Sequence, residues 1–183
     1  MGFLKNFRDD LSVYREGLLA QGFWALQIYR FGHARLRYRS KLIRVPWYVV
    51  HLVLLKMSEV LFGISIGAPA QIGRRLNIEH FGGIIVHGNT VIGDDCMIRQ
   101  GVTLGNRHMD RPLEAPILGN RVNVGAGAKI LGSVRIGDDV SIGANAVVLT
   151  DIPSGCAAVG IPAKVVGPNG ERGRSDFGYD AAA

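Results

Sequence analysis

Cysteine is nearly absent from this 183-residue chain. Cys96 and Cys156 are too few and too far apart in sequence for a disulfide framework or a metal knuckle, which points to a reducing compartment and small apolar roles for both. Proline is sparse too, with 7 residues and no runs, so the 25 glycines signal turns in an ordered chain, not disorder. The N-terminus lacks an uninterrupted apolar core with a cleavage site: Lys5, Arg8, Asp9 and Asp10 come early, so no signal peptide is expected and the protein is placed in the cytoplasm. The length leaves no room for a second full catalytic domain.

The first sixty residues carry helical spacing. Leu11, Tyr14 and Leu18 recur at three and four residues, as do Phe23, Leu26 and Arg30 with Trp24 and Ile28 beside them. A third helix is expected from near Pro46 towards Phe62. That segment, VPWYVVHLVLLKMSEVLF, is apolar, but His51, Lys56, Ser58 and Glu59 interrupt it, and charge at mid-bilayer depth is costly. It reads as a helix buried against other subunits or lying on a membrane surface, not as a span. Arg30, Arg35, Arg37, Arg39, Lys41 and Arg44 come just before it, either as a solvated face or as a peripheral contact with anionic lipid. The net charge of +6 also admits a polyphosphate ligand or nucleic acid. The basic run has a single interleaved aromatic, Tyr38, and no recognisable nucleic-acid module, so no nucleic acid is expected.

After Gly63 apolar residues fall at every sixth position. Ile66, Ile72 and Ile78 form one run; Val86, Ile92, Ile98 and Leu104 a second; Leu118, Val124, Ile130, Ile136, Ile142 and Val148 a third. Glycine often follows the aliphatic residue, and four positions after it stand small or β-branched residues such as Ala70, Thr90, Cys96 and Ala128. Period six scatters successive positions around an α-helix, so the pattern predicts a mainly β fold, a left-handed parallel β-helix with three hexads to a coil, behind an N-terminal helical segment. The expected division is 1–62 helical, 63–167 β-helix and 168–183 a mobile polar tail. Asp94, Asp95, Asp138 and Asp139 fall at turns and read as turn formers.

The repeat breaks twice, and insertions into a solenoid are where sites are placed. Between Ile78 and Val86 the phase slips by two residues, at Glu79, His80, Phe81, Gly82 and Gly83. Between Leu104 and Leu118 eight extra residues enter, a loop expected to reach across to a neighbour.

The runs IGRRLNIEHFGGIIVHGNTVIGDDCMIRQGVTLGNR, ILGNRVNVGAGAKILGSVRIGDDVSIGANAVVLTDIP and VGIPAKVVG closely resemble the serine O-acetyltransferase family of hexapeptide-repeat enzymes. FGISI, IGRR and the short loop after GVTLGNR resemble still more the acetyltransferases of exopolysaccharide clusters, of the colanic-acid type. The resemblance implies an acetyl-CoA-dependent O-acetyltransferase without a metal, working between adjacent β-helices of a homotrimer. It makes His80 the general base, with Glu79, Arg107 and His108 as candidate acceptor contacts. It sets Gly105, Asn106, Ala126 and Ala144 along the CoA groove, with Lys164 near the nucleotide phosphates.

Attack of an alcohol on a thioester needs a base that titrates near neutrality, and histidine supplies one. His87 and His108 compete for that role, without a motif match in one case and in a variable loop in the other. Two departures bear on the acceptor. The position of the family's orienting aspartate is Ser65, and the arginine-histidine pair that holds the serine carboxylate falls on Glu114 and Ala115. A carboxylate needs a positioned cation, so a polysaccharide sugar hydroxyl is the expected acceptor and L-serine the alternative. A non-catalytic scaffold is the rival from another class; the intact His80 opposes it.

Overall fold

The computed structural model describes residues 3–168; the tail from 169 onward, expected to be mobile, lies outside them. Among these residues three α-helices, α1 (Phe3–Leu11), α2 (Gln21–Ala34) and α3 (Lys41–Phe62), with short 3-10 turns at Gly17–Leu19 and Arg35–Arg37, precede a solenoid of short strands. Two sequence expectations change here. Tyr14 is not helical: α1 ends at Leu11, and the chain turns before Gly17, which sits at φ +56. The third helix starts five residues before Pro46, after Ser40 in extended conformation, and carries the proline inside it. A proline so early forgoes one backbone hydrogen bond, and the helix continues past it. Gly63, left-handed at φ 64, ends α3 by donating its N–H to the Glu59 carbonyl.

From Ile64 onward the hexads wind into the expected left-handed parallel β-helix. The first face stacks Ile64–Ile66, Ile84–Val86, Thr103–Gly105, Lys129–Leu131 and Val147–Val148. The second stacks Gln71–Ile72, Val91–Ile92, Ile117–Leu118 and Arg135–Ile136. The third stacks Asn77–Glu79, Met97–Arg99, Asn123–Val124, Ser141–Ile142 and Cys156–Val159, and Lys164–Pro168 folds back antiparallel on the last of these. Every aliphatic hexad residue is buried, as are the small residues four positions on, because both point into a narrow prism where only ladders of matched size fit. Cys96 belongs to these ladders; burial pushes its thiol up to about 11, which keeps it unreactive at neutral pH.

In this winding neighbouring coils exchange backbone hydrogen bonds in both directions: Gly67 and Ile85 donate forward to Val86 and Val102, while Ile84 and Gly101 donate back to Gly63 and Gly82. The outward-facing carbonyls of the first coil therefore have no coil before them, and side chains of the N-terminal segment supply the donors. Tyr14 Oη donates to the Leu76 carbonyl (3.0 Å), Tyr29 Oη to Ala70 (2.6 Å), Arg30 Nη1 to Ile72 (2.8 Å), His33 Nδ1 to Ala68 (2.9 Å) and Ser58 Oγ to Ile64 (2.8 Å). Arg30 is held in turn by Asp10, a buried carboxylate 3.0 Å from its Nε. The helices are thus the end plate of the solenoid, which is why these polar residues interrupt otherwise apolar helical patterns.

Candidate active site

Each coil turns three corners, and the corners stack into three edges. The edge between the second and third faces holds the paired acids. Asp94 and Asp95 bond Arg74 and Arg75, and Asp139 bonds Arg121. Asp94 and Asp138 also accept backbone N–H groups of the neighbouring coil, from Arg74 and Asn120. The arginine partners hold Asp94, Asp95 and Asp139 below the usual carboxylate range; for Asp94 the backbone N–H of Arg74 contributes most. These acids are the turn formers their spacing indicated, on an edge without His80.

The edge between the third and first faces carries His80. A hydrogen-bonded ladder runs along it, Gly82 N–H to Phe62, Gly101 to Gly82, Gly127 to Gln100 and Asn145 to Ala126, each at 2.8 Å. The recurring left-handed position on this edge is Gly63, Gly83, Gly101, Gly127 and Asn145. His80 is a further left-handed residue, at φ 66, in the two-residue slip. A β-carbon in that region costs about 1 kcal/mol, and the conformation carries the imidazole out into solvent at the corner. Ala126 and Ala144 lie on this same edge, in the coils beyond. Glu79 points from the third face, where its Oε2 accepts from Arg99 Nε (2.8 Å), while Arg99 Nη1 reaches Asn123 Oδ1 (2.8 Å).

At the position where the resemblance implies an orienting aspartate, Ser65 donates to Glu59 Oε1 (2.9 Å). Lys56, hydrogen-bonded to the same carboxylate at 2.6 Å, holds Glu59 below the usual carboxylate range; partial burial opposes this and the Ser65 hydroxyl adds to it. An ionised carboxylate therefore stands behind Ser65, one hydrogen bond further back than an aspartate would be. The sequence signal was a charged residue in an apolar helix, which is too common to single out Glu59.

The inserted loop leaves from the edge between the first and second faces. Gly105 is buried there and its carbonyl accepts from Gly132 N–H (2.8 Å); Asn106 Nδ2 closes the loop's start on the His108 carbonyl (2.9 Å). Asn89 Nδ2 anchors the far side on Leu113 (2.9 Å). Arg107 comes over Gly132, where an added Cβ would lie 3.4 Å from Arg107 Cβ and 3.9 Å from Glu114 Oε2. Glu114 itself pairs with Arg111 (3.1 Å). His108 is exposed in the loop, and His87 Nδ1 accepts from Asn89 N–H (3.1 Å) in its own turn. Lys164 opens the antiparallel strand at the far end of the solenoid.

Within one chain, then, His80, Ala126 and Ala144 lie on one edge and Gly105, Asn106, Arg107 and His108 on another, with the first face between them.

A model described as bacterial transferase hexapeptide (six repeats) matches residues 115–150. A serine acetyltransferase of Helicobacter pylori is 46% identical over 149 residues, covering 81% of this chain and 83% of the relative. The chain belongs to the serine acetyltransferase family. Like the family it is an acetyl-transferring enzyme. Among solved members, that of Brucella abortus strain S19 in complex with coenzyme A superposes with a TM-score of 0.80 at 28% identity, covering 91% of this chain and 68% of that one. Soybean serine acetyltransferase complexed with serine gives 0.77 at 32%, covering 88% and 68%. The finer expectation of a colanic-acid-type enzyme is corrected by these relatives, all of which are serine acetyltransferases.

Proposed function

We propose that this protein transfers the acetyl group of acetyl-CoA to the hydroxyl of L-serine, at sites completed between neighbouring chains of a trimer. The observation that carries the reading is the identity to the Helicobacter pylori serine acetyltransferase over four-fifths of the chain. The division of candidate groups between two edges supports the assembly. A neighbour set edge to edge brings the loop of one chain to the His80 of the next.

His80 takes the proton of the serine hydroxyl as its oxygen bonds the thioester carbonyl carbon. The tetrahedral oxyanion is met by backbone N–H groups of the glycine-rich corners. Its collapse breaks the C–S bond, and the proton on His80 leaves with the CoA thiolate. Glu59 acts through Ser65 as the positioning carboxylate. Arg107 supplies the cation for the serine carboxylate, since Glu114 and Ala115 cannot. Glu79 takes the amino group. Ala126 and Ala144 leave the corner shallow for pantetheine, Gly105 and Asn106 form the opposite wall, and Lys164 meets phosphate.

A sugar hydroxyl is the second reading, favoured by one observation: Glu114, at the position of the expected arginine, is itself an acid paired to Arg111. Release of free CoA from acetyl-CoA is measured with L-serine and, separately, with uridine-diphosphate sugars. Efficient turnover of free serine, with O-acetylserine as product, is expected. Turnover of the sugars alone would transfer the reading to the saccharide class.

A further inference from the structure

The third helix has two unlike faces. Towards the protein, Trp47 Nε1 donates to the Phe31 carbonyl (3.1 Å), His51 is buried against Gly32, and Ser58 caps the first coil. These contacts recur at helical spacing and fix the helix flat along α2. The opposite stripe is Leu42, Val45, Val49, Leu52, Val53 and Val60, all exposed, with Leu42 and Val60 more than four-fifths so. An aliphatic stripe of this length on a soluble surface marks a site of association.

What it meets is indicated by charge. Arg35, Arg37, Arg39, Lys41 and Arg44 gather before and within the first turn of α3, and Arg35 stacks its guanidinium 4.8 Å over the Tyr48 ring. Lys56, the charged residue of the stripe, is also a cation. Glu59 is the acid of this helix, and it is engaged by Lys56 and Ser65. A second copy of the chain would bring the same cations and the same acid-poor stripe. A surface of anionic headgroups over acyl chains matches both parts at once. The helix is about 33 Å long, enough to cross a bilayer, but its inner stripe is committed to α2 and the first coil, so it lies in the interface plane.

We propose that α3 docks this protein in the plane of an anionic lipid bilayer, with the aliphatic stripe at the acyl boundary and the cluster from Arg35 to Arg44 on the phosphates. The inference is independent of the acceptor.

Co-sedimentation of the full chain with vesicles tests it, using phosphatidylcholine alone or mixed with phosphatidylserine. Binding to the anionic vesicles is expected to be at least about tenfold tighter than to the neutral ones and to weaken with added salt. Val49→Glu with Val53→Glu is expected to abolish it while leaving acetyl transfer and the sedimentation coefficient in solution unchanged. Arg37→Glu with Arg39→Glu is expected to remove the preference for anionic lipid. The proposal is overturned if the unmodified chain stays in the supernatant with both vesicles. It is equally overturned if the valine variant loses assembly mass in analytical ultracentrifugation, because the stripe then belongs to a second copy of the chain.

Discussion

The hydroxyl of Ser65 donates to Glu59 Oε1 across 2.9 Å, tying the last turn of α3 to the first strand of the solenoid. Gly63, two residues before Ser65, packs against Gly82, two residues after His80. The pair therefore stands beside the corner that presents His80. If it positions His80, Glu59→Gln and Ser65→Ala each lower kcat about tenfold, the effect of one hydrogen bond to a charged group. The KM for acetyl-CoA and the Tm should stay unchanged. Ser65→Asp should restore kcat in the Glu59→Gln background. A loss of Tm in step with activity would reduce the pair to a structural tie.

His80→Ala should cost about 100-fold or more in kcat, the scale of a removed general base, with acetyl-CoA binding retained by calorimetry. His87→Ala should be far milder, since its ring accepts a hydrogen bond within its own turn.

Because the two groups of candidate residues occupy different edges, a defect on one edge should be complemented by an intact neighbour. Arg107→Ala should raise the KM for serine roughly 10- to 100-fold by removing its carboxylate's cation. Co-expressed with His80→Ala in equal amounts, it should yield mixed trimers with about a quarter of the sites intact, as random mixing of chains around a closed ring requires. Assayed at low serine, the mixture should recover that share. No recovery would mean that both residues serve a site within one chain.

Gly22 lets α2 lie flush on the coil: a Cβ there would collide with the Ile78 carbonyl and come within 2.7 Å of the Ile78 Cβ. Gly22→Ala should destabilise the fold by about 1–3 kcal/mol, the usual effect of overpacking, read as a fall in urea midpoint. Activity should fall as well, since Ile78 leads directly into Glu79 and His80.

His51 gives the helical layer a dependence on pH. Burial, and then the nearby Arg35 cation, lower its pKa below the ordinary value of 6.5. Below that value the unfolded chain binds the proton while the folded chain still resists it, so stability falls with pH until the folded pKa is reached. The Tm should therefore drop as the pH is lowered from 7 through 6.5, and His51→Gln should shrink the drop. An equal drop in the variant would assign the titration to other histidines.

The solenoid was legible because period six has a single geometric outcome: Ile66, Leu104 and Val148 had to stack inward, and they do. His80 was legible as an irregularity in that period. Tyr14 was not, since its role is a hydrogen bond to a carbonyl sixty-two residues away, and local spacing placed it on a helix face instead. The Glu59–Ser65 contact was hidden for a related reason, lying across the junction of two periods. The missing serine clamp was read at Glu114 and Ala115, but Arg107 as its replacement depends on the path of a loop that no repeat constrains.

The five side chains that occupy the first coil's carbonyls have a further consequence. A prism of parallel coils is a template for its own continuation: left bare, its opening rim would accept the closing rim of another copy, and the product would be a filament. Tyr14, Tyr29, Arg30, His33 and Ser58 consume the acceptors of that rim, and Lys164–Pro168, reversed in direction, covers part of the other. The N-terminal helices thus act as a terminator, limiting growth along the axis so that association is left to the sides of the prism.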